Sequence, residues 1–331
     1  MTFPGFIDLQ VNGYCGVDFS SDDLRVENVH YVSCELQKRG VVGYCPTMIT
    51  SSLEIYGRNL PILAEAARSD IGATILGVHL EGPFISPEDG TRGVHSLDHV
   101  TGPSVKLFDK LRELADDRIA LITLAPELYG ARVLIDHIIE TSDVRVSLGH
   151  HMAESAKIRE ACDAGAKAAT HLGNGLPEMI HRHNNPLWTQ LADDRLTALV
   201  VTDGHHLPDD MIRVFMRIKG VDNLIVTSDM TNIAGRPPGI YTFHGVSVVL
   251  EENGRLHREG KYQLAGSACD MLHCMNIIAA LGGLGEDDLR GIGHDNALRL
   301  LGKDTGDLAL PATSCVKYRD GRFELIEETA Q

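Results

Sequence analysis

Short apolar runs rich in β-branched residues recur along this chain, and most are followed by a stretch whose apolar positions return at helical spacing. The runs predict eight strands, at residues 5–11, 41–49, 73–80, 119–125, 145–149, 166–171, 197–202 and 223–228. The helical patterns fall at residues 22–39, 52–69, 104–116, 132–141, 154–164 and 208–218. Runs that are apolar on both faces and alternate with helices belong to a parallel sheet covered by helices. Eight such strand–helix units predict an α/β fold closed as a (β/α)8 TIM barrel, whose active site lies at the carboxyl ends of the strands. Two segments break the rhythm. Residues 176–194, with Pro177, His181, Arg182, His183, Asn184, Asn185 and Pro186, are too long and polar for a simple connector and read as an active-site insertion. Residues 237–264 alternate polar and apolar positions between glycines and read as a β-hairpin excursion, after which helical patterns return at 268–281 and 286–301. The barrel is thus expected to occupy residues 1–305, with a C-terminal strand remnant and tail at 306–331 whose turn is Asp320-Gly321.

Candidate chemistry sits at four predicted strand ends. Glu81 follows the run Thr74-Ile75-Leu76-Gly77-Val78, His150 follows Ser147-Leu148-Gly149, His171 follows Ala168-Ala169-Thr170, and Asp229 follows Val226-Thr227-Ser228. One such residue alone is more often a satisfied polar group than a ligand. Three ligand-type side chains and one further acid on a single barrel rim point instead to a one-metal hydrolase. A catalytic zinc site takes about three protein ligands and keeps one position open, and two histidines with one glutamate are a common set. A Lewis acid there makes water a nucleophile at neutral pH and polarises a carbonyl. Asp229 is then free to accept a proton during attack and deliver it to a departing nitrogen. His151, next to His150, is expected either to support the site from the following loop or to face away from it.

Composition narrows the class. The 331 residues suffice for one large domain. A formal charge of −16, without clustered lysine and arginine, argues against nucleic acid and anionic membranes as partners, so any anionic substrate must be held by local groups. Seven cysteines, an odd number in apolar surroundings, imply free thiols in a reducing compartment. The opening Met1-Thr2-Phe3-Pro4-Gly5 lacks the pattern of a signal peptide, and no apolar run reaches the roughly 20 residues of a membrane span. A cytoplasmic enzyme is the expectation.

The motifs extend beyond the four strand ends. Pro4-Gly5-Phe6-Ile7-Asp8, Gln10-Val11-Asn12-Gly13, HLEGPFISP at 79–87, Gly93-Val94-His95, Thr123-Leu124-Ala125-Pro126-Glu127, Gly149-His150, Thr170-His171-Leu172-Gly173-Asn174-Gly175, Asp203-Gly204-His205-His206 and Asp229-Met230-Thr231 occur in order. Together, from about residue 4 to residue 305, they resemble the N-acetylglucosamine-6-phosphate deacetylase family of metal-dependent amidohydrolases. The resemblance implies that Glu81, His150 and His171 are metal ligands and Asp229 the acid/base. It further implies that His95 meets the substrate near its acetamide carbonyl, and that Asn174, Gly175 and His206 hold the sugar phosphate. Gln10 and Asn12 stand where many amidohydrolases carry His-x-His at the end of strand one. Neutral amides are poor zinc ligands, so one divalent ion per chain is expected, zinc being favoured, with Gln10 and Asn12 as supporting or packing groups.

The chain also departs from the family. It starts at the first barrel strand, where relatives usually carry about fifty more residues of a small β-sandwich, so that domain is expected to be reduced or absent. The family's phosphate-binding arginine lies in Gly-Arg-Glu-Pro or His-Arg-Asp-Pro. Here the stretch is Ile180-His181-Arg182-His183-Asn184-Asn185-Pro186, which makes Arg182 the expected anion contact and leaves the phosphate preference open. In the family that arginine can reach a neighbouring subunit, which implies a homodimer. The expected activity is removal of an N-acetyl group from an amino sugar, N-acetylglucosamine 6-phosphate foremost. Alternatives are another N-acylated amino sugar, phosphorylated or not, and a non-catalytic sugar-binding protein.

Overall fold

The computed structural model describes residues 2–309 and 316–326. Eight parallel strands form the barrel wall: β1 (Phe6–Val11), β2 (Val41–Ile49), β3 (Val78–Glu81), β4 (Ile119–Leu124), β5 (Arg145–Leu148), β6 (Ala168–Ala169), β7 (Thr197–Val200) and β8 (Leu224–Val226). They are hydrogen-bonded in sequence order. The strand expected at 73–80 is interrupted at Leu76-Gly77, where Gly77 takes φ of 131° and approaches Ala120 so closely that a Cβ would lie 2.7 Å from the alanine's. Outside the wall run α1 (Val26–Lys38), α2 (Leu53–Ala66), α3 (Val105–Leu114), α4 (Ala131–Thr141), α5 (Ser155–Ala164), α6 (Pro186–Ala192), α7 (Asp209–Lys219) and α8 (Met271–Ala280).

The seam between β1 and β8 has little backbone ladder. A single bridge joins Val11 to Met230, with the Asn12 N–H donating to the Met230 carbonyl at 2.8 Å. Below it, Asp8 closes the wall with its side chain: its carboxylate accepts from the Thr227 hydroxyl at 2.6 Å, from the Ser228 hydroxyl and from the Ser228 N–H at 3.1 Å. Burial pushes the Asp8 carboxyl up, and these donors oppose that shift.

The barrel interior is graded. At the amino-terminal end Ile7, Leu9, Leu121, Leu199 and Ile225 pack on Leu298 and Leu301 from the last helical turns, an apolar plug. Above them lies a polar belt in which His79 meets the Thr123 hydroxyl at 2.7 Å, Thr123 meets Thr170 at 2.7 Å, and Thr170 meets Ser147 at 2.6 Å. Burial lowers His79 to about 4, so it sits there neutral. Side chains two apart on a strand share a face, so Glu81 stands one layer above His79 on β3.

Three segments depart from the expected pattern. The polar stretch 176–194 is not all loop, because Pro186 at the first helical position and the Asn185 cap, which accepts from the Leu187 N–H, start α6 inside it. The excursion at 237–264 folds as a three-stranded antiparallel sheet of β9 (Gly239–Phe243), β10 (Val246–Leu250) and β11 (Leu256–Arg258). The helix expected at 286–301 is divided by a π-turn at Gly291–Asp295, where the buried His294 donates from Nδ1 to the Gly5 carbonyl. In the C-terminal segment, Val316–Arg319 and Arg322–Leu325 pair around Asp320-Gly321, and Thr2–Phe3 adds a third strand. The remainder of 306–331, at 310–315 and 327–331, lies outside the described residues.

Candidate active site

The four strand-end residues meet at the carboxyl mouth of the barrel, around a cavity of about 760 Å³. Glu81 is the last residue of β3. His150, His171 and Asp229 lie just past β5, β6 and β8, with φ of 51°, 31° and 51°. Non-glycine residues seldom adopt this left-handed region, at a cost of about 1–3 kcal/mol each, and they persist only where the surroundings hold them. Here the strained turns point side chains across the barrel mouth instead of along the strands.

Glu81 Oε1 lies 3.1 Å from His150 Nε2 and 3.0 Å from His171 Nε2, and the two nitrogens are 3.0 Å apart. His150 Nδ1 donates to the Thr91 carbonyl at 2.8 Å, which leaves a lone pair on Nε2. A carboxylate oxygen and two ring nitrogens in a triangle of this size need a positive charge among them. Bonds of about 2 Å to a tetrahedral ion would set ligand atoms roughly 3.3 Å apart. Glu81, His150 and His171 therefore fit a divalent ion. The titration behaviour expresses the same demand with a proton. Burial disfavours charge on both Glu81 and His150, yet their mutual hydrogen bond and attraction win, holding Glu81 well below and His150 above its ordinary value.

Gln10 and Asn12 prove to be organisers of the acids. The Gln10 amide donates to Glu81 Oε1 and to Asp229 Oδ1, both at 2.9 Å, and the Asn12 amide donates to Asp229 Oδ1 at 2.8 Å. Carboxylates only accept, so the amides must present N–H to them. Asp229 is pinned through Oδ1, and no hydrogen bond among the described residues engages Oδ2. Burial first, and the nearby Glu81 charge second, push the Asp229 carboxyl up to about 6.

His95 is buried with its ring 4.5 Å from that of His150. Its Nδ1 accepts from the Thr50 N–H at 3.3 Å, so the proton resides on Nε2, which faces Glu81 Oε2 at 3.7 Å. His206 lines the cavity and pairs with Asp203 through Nδ1 at 2.8 Å. Burial opposes both charges, but their attraction prevails, raising His206 and depressing Asp203. Asn174 and Gly175 line the same wall. Gly175 has φ of 64°, a left-handed conformation that favours glycine, and a Cβ there would press to 3.0 Å from His171 Cε1.

Arg182 is not brought to the cavity. It is exposed, and its carbonyl accepts from the Trp188 indole at 2.8 Å. His151 is buried away from the main cavity, its Nδ1 accepting from the Ala153 N–H at 3.2 Å. The lysine and arginine that do line the cavity, Arg255 and Lys261, come from the β9–β11 excursion and carried no motif that marked them in the sequence.

No family model matches the chain. Its sequence is similar to N-acetylglucosamine-6-phosphate deacetylase of Caenorhabditis elegans, 33% identical over 286 residues that cover 82% of this chain and 67% of that protein. The Bacillus subtilis enzyme of the same name is 31% identical over 305 residues, covering 90% and 75%. Among solved structures, N-acetylglucosamine-6-phosphate deacetylase from Pasteurella multocida superposes with a TM-score of 0.83 at 26% identity, over 97% of this chain and 86% of that one. The Mycobacterium smegmatis enzyme in complex with N-acetyl-D-glucosamine-6-phosphate shares the fold with a TM-score of 0.84 at 24% identity, over 97% and 86%. With identity above 30% across more than two thirds of such relatives, this chain belongs to the N-acetylglucosamine-6-phosphate deacetylase family.

Proposed function

We propose that this chain hydrolyses the N-acetyl group of N-acetylglucosamine 6-phosphate, releasing acetate and glucosamine 6-phosphate. The observation that carries the reading is the triangle of Glu81, His150 and His171 beside an Asp229 held through one oxygen, in a chain of this family. Glu81, His150 and His171 would hold a single zinc ion, which would supply Lewis acidity to acidify water and polarise the amide carbonyl. Asp229 Oδ2 takes the proton of the attacking water and passes it to the sugar nitrogen, so that an amine leaves. The His95 Nε2–H donates to the carbonyl oxygen as negative charge develops on it. Gln10 bridges Glu81 and Asp229 by donating to both, which orients the two acids and offsets their repulsion. Asn174, Gly175 and His206 hold the sugar.

Acetate release from N-acetylglucosamine 6-phosphate and from the unphosphorylated sugar, on metal-quantified protein, tests this. Turnover of the phosphorylated sugar at one metal equivalent is expected, and silence on both sugars would discard the reading. The altered stretch Ile180-His181-Arg182-His183-Asn184-Asn185-Pro186 motivates a second reading, another N-acylated or non-phosphorylated amino sugar, which equal rates on the two substrates would select.

We also take the chain to be a homodimer. Met179 and Trp188, 89% and 50% exposed beside the 176–185 loop, support burial against a second copy, and a monomeric mass in sedimentation would remove this. Residues 1–305 are read as the catalytic unit, and the sheet of Thr2–Phe3, Val316–Arg319 and Arg322–Leu325 as a reduced small domain. The six free cysteines among the described residues support a reducing, cytoplasmic setting, and no helix among those residues is long and apolar enough to cross a membrane.

A further inference from the structure

The cavity mouth carries Asp89 and Glu178 in addition to the buried acids, in a chain of net charge −16, so an anionic sugar needs cations placed against that field. Among the described lining residues, Arg255 and Lys261 are the lysine and arginine available. Arg255 stands in the turn from β10 to β11, and Lys261 follows β11. The turn is seated on the barrel, since His205 Nε2 lies 3.2 Å from the Asn253 carbonyl, on the loop past β7 that also carries His206. Loops after the seventh and eighth strands are the frequent phosphate position of this fold.

Arg255 is oriented in advance. Its Nη1 lies 3.3 Å from Glu251 Oε1, its Nη2 donates to the Tyr262 carbonyl at 3.0 Å, and its guanidinium sits 4.7 Å from the Tyr262 ring centre. A guanidinium has five N–H donors, so a fork remains for a ligand. Lys261 is exposed beside it and supplies a mobile point charge.

We propose that Arg255 and Lys261, from the β9–β11 excursion, form an anion-binding end of the site and recognise the phosphoryl group of a sugar 6-phosphate. This rests on the sugar-phosphate reading above. Glu251 competes for the same guanidinium and moderates the grip.

The test is titration calorimetry of the metal-loaded full chain with glucosamine 6-phosphate and with glucosamine at low salt, alongside acetate-release kinetics. In R255Q/K261M the affinity ratio of phosphorylated to unphosphorylated ligand is expected to fall at least about tenfold, with the loss in turnover appearing in KM rather than kcat. Glu251→Gln is expected to shift the ratio the other way. An unchanged ratio in both variants, or a phosphate preference lost in Arg182→Ala and kept in R255Q/K261M, overturns the proposal. So does a wild-type protein with no preference. Phosphate preference that depends on Arg255 and Lys261 without any acetate release rejects the deacetylase reading alone. Acetate release with an unmoved preference in R255Q/K261M rejects this inference alone.

Discussion

The strand-end rim and the β9–β11 excursion face the same cavity and are built on opposite physical terms. At the rim, Glu81, His171 and Asp229 are 3%, 4% and 7% exposed, and each ionisable side chain is tied to others by short contacts. Buried charge is tolerated only with partners, so the geometry there is over-determined. In the excursion, Tyr262 is 80% exposed and Arg255 leans on a solvent-facing glutamate. Exposed contacts of that kind contribute little to stability and are screened by salt. The difference teaches that the hydrolytic chemistry is lodged where the fold cannot relax, and the choice of substrate charge where it can change at small cost.

The strongest way to break the contrast is to remove the rim's carboxylate. Glu81→Gln is expected to abolish stoichiometric metal, measured by elemental analysis, and to lower turnover by on the order of 10³-fold or more. Stoichiometric metal in that variant would refute the ligand assignment. Asp229→Asn is expected to keep the metal and lose about 10²–10⁴-fold in kcat, because proton transfer alone has been removed. Gln10→Ala should cost roughly 10–100-fold in turnover or metal affinity, since the groups that orient the acids and not the acids themselves have gone.

The Asp203–His206 pair gives a smaller, pH-dependent effect. His206 is raised above its ordinary 6.5, so its contribution is complete below that pH and lost as pH rises through the raised value. Asp203 is depressed below its ordinary 3.8, so its contribution is complete above that pH and lost as pH falls through the depressed value. Asp203→Asn is therefore expected to destabilise the fold by about 1–3 kcal/mol near pH 6, and by less as pH rises past the His206 titration. Denaturant melts across pH read this. The smallest effect sharpens the other side of the comparison: R255Q/K261M should shift unfolding by only about 0.5 kcal/mol or less.

Much of this was legible in the chain. The eight apolar runs, the four polar residues ending them and the hairpin at Asp320-Gly321 are local patterns, set by periodicity and turn chemistry. What escaped was non-local or shared with ordinary surface. The polar belt of His79, Thr123, Ser147 and Thr170 lies within runs that read as plain strands. Asn185 and Pro186 looked like loop because their capping role depends on the helix that follows them. Arg182 sat at the motif position expected of an anion contact, while Arg255 and Lys261, in an unmarked sheet, reached the cavity.

Strand order, the four polar residues at the strand ends and the expectation of a barrel follow from local sequence, because a strand's side chains alternate and its end is marked by where the apolar run stops. Folding alone brings Gln10 to Glu81, 71 residues away, and to Asp229, 219 residues away, and folding alone lets Asp8 seal the seam against Thr227 and Ser228. Those contacts join the first strand to the third and to the residues just past the last, and no window of sequence contains both partners.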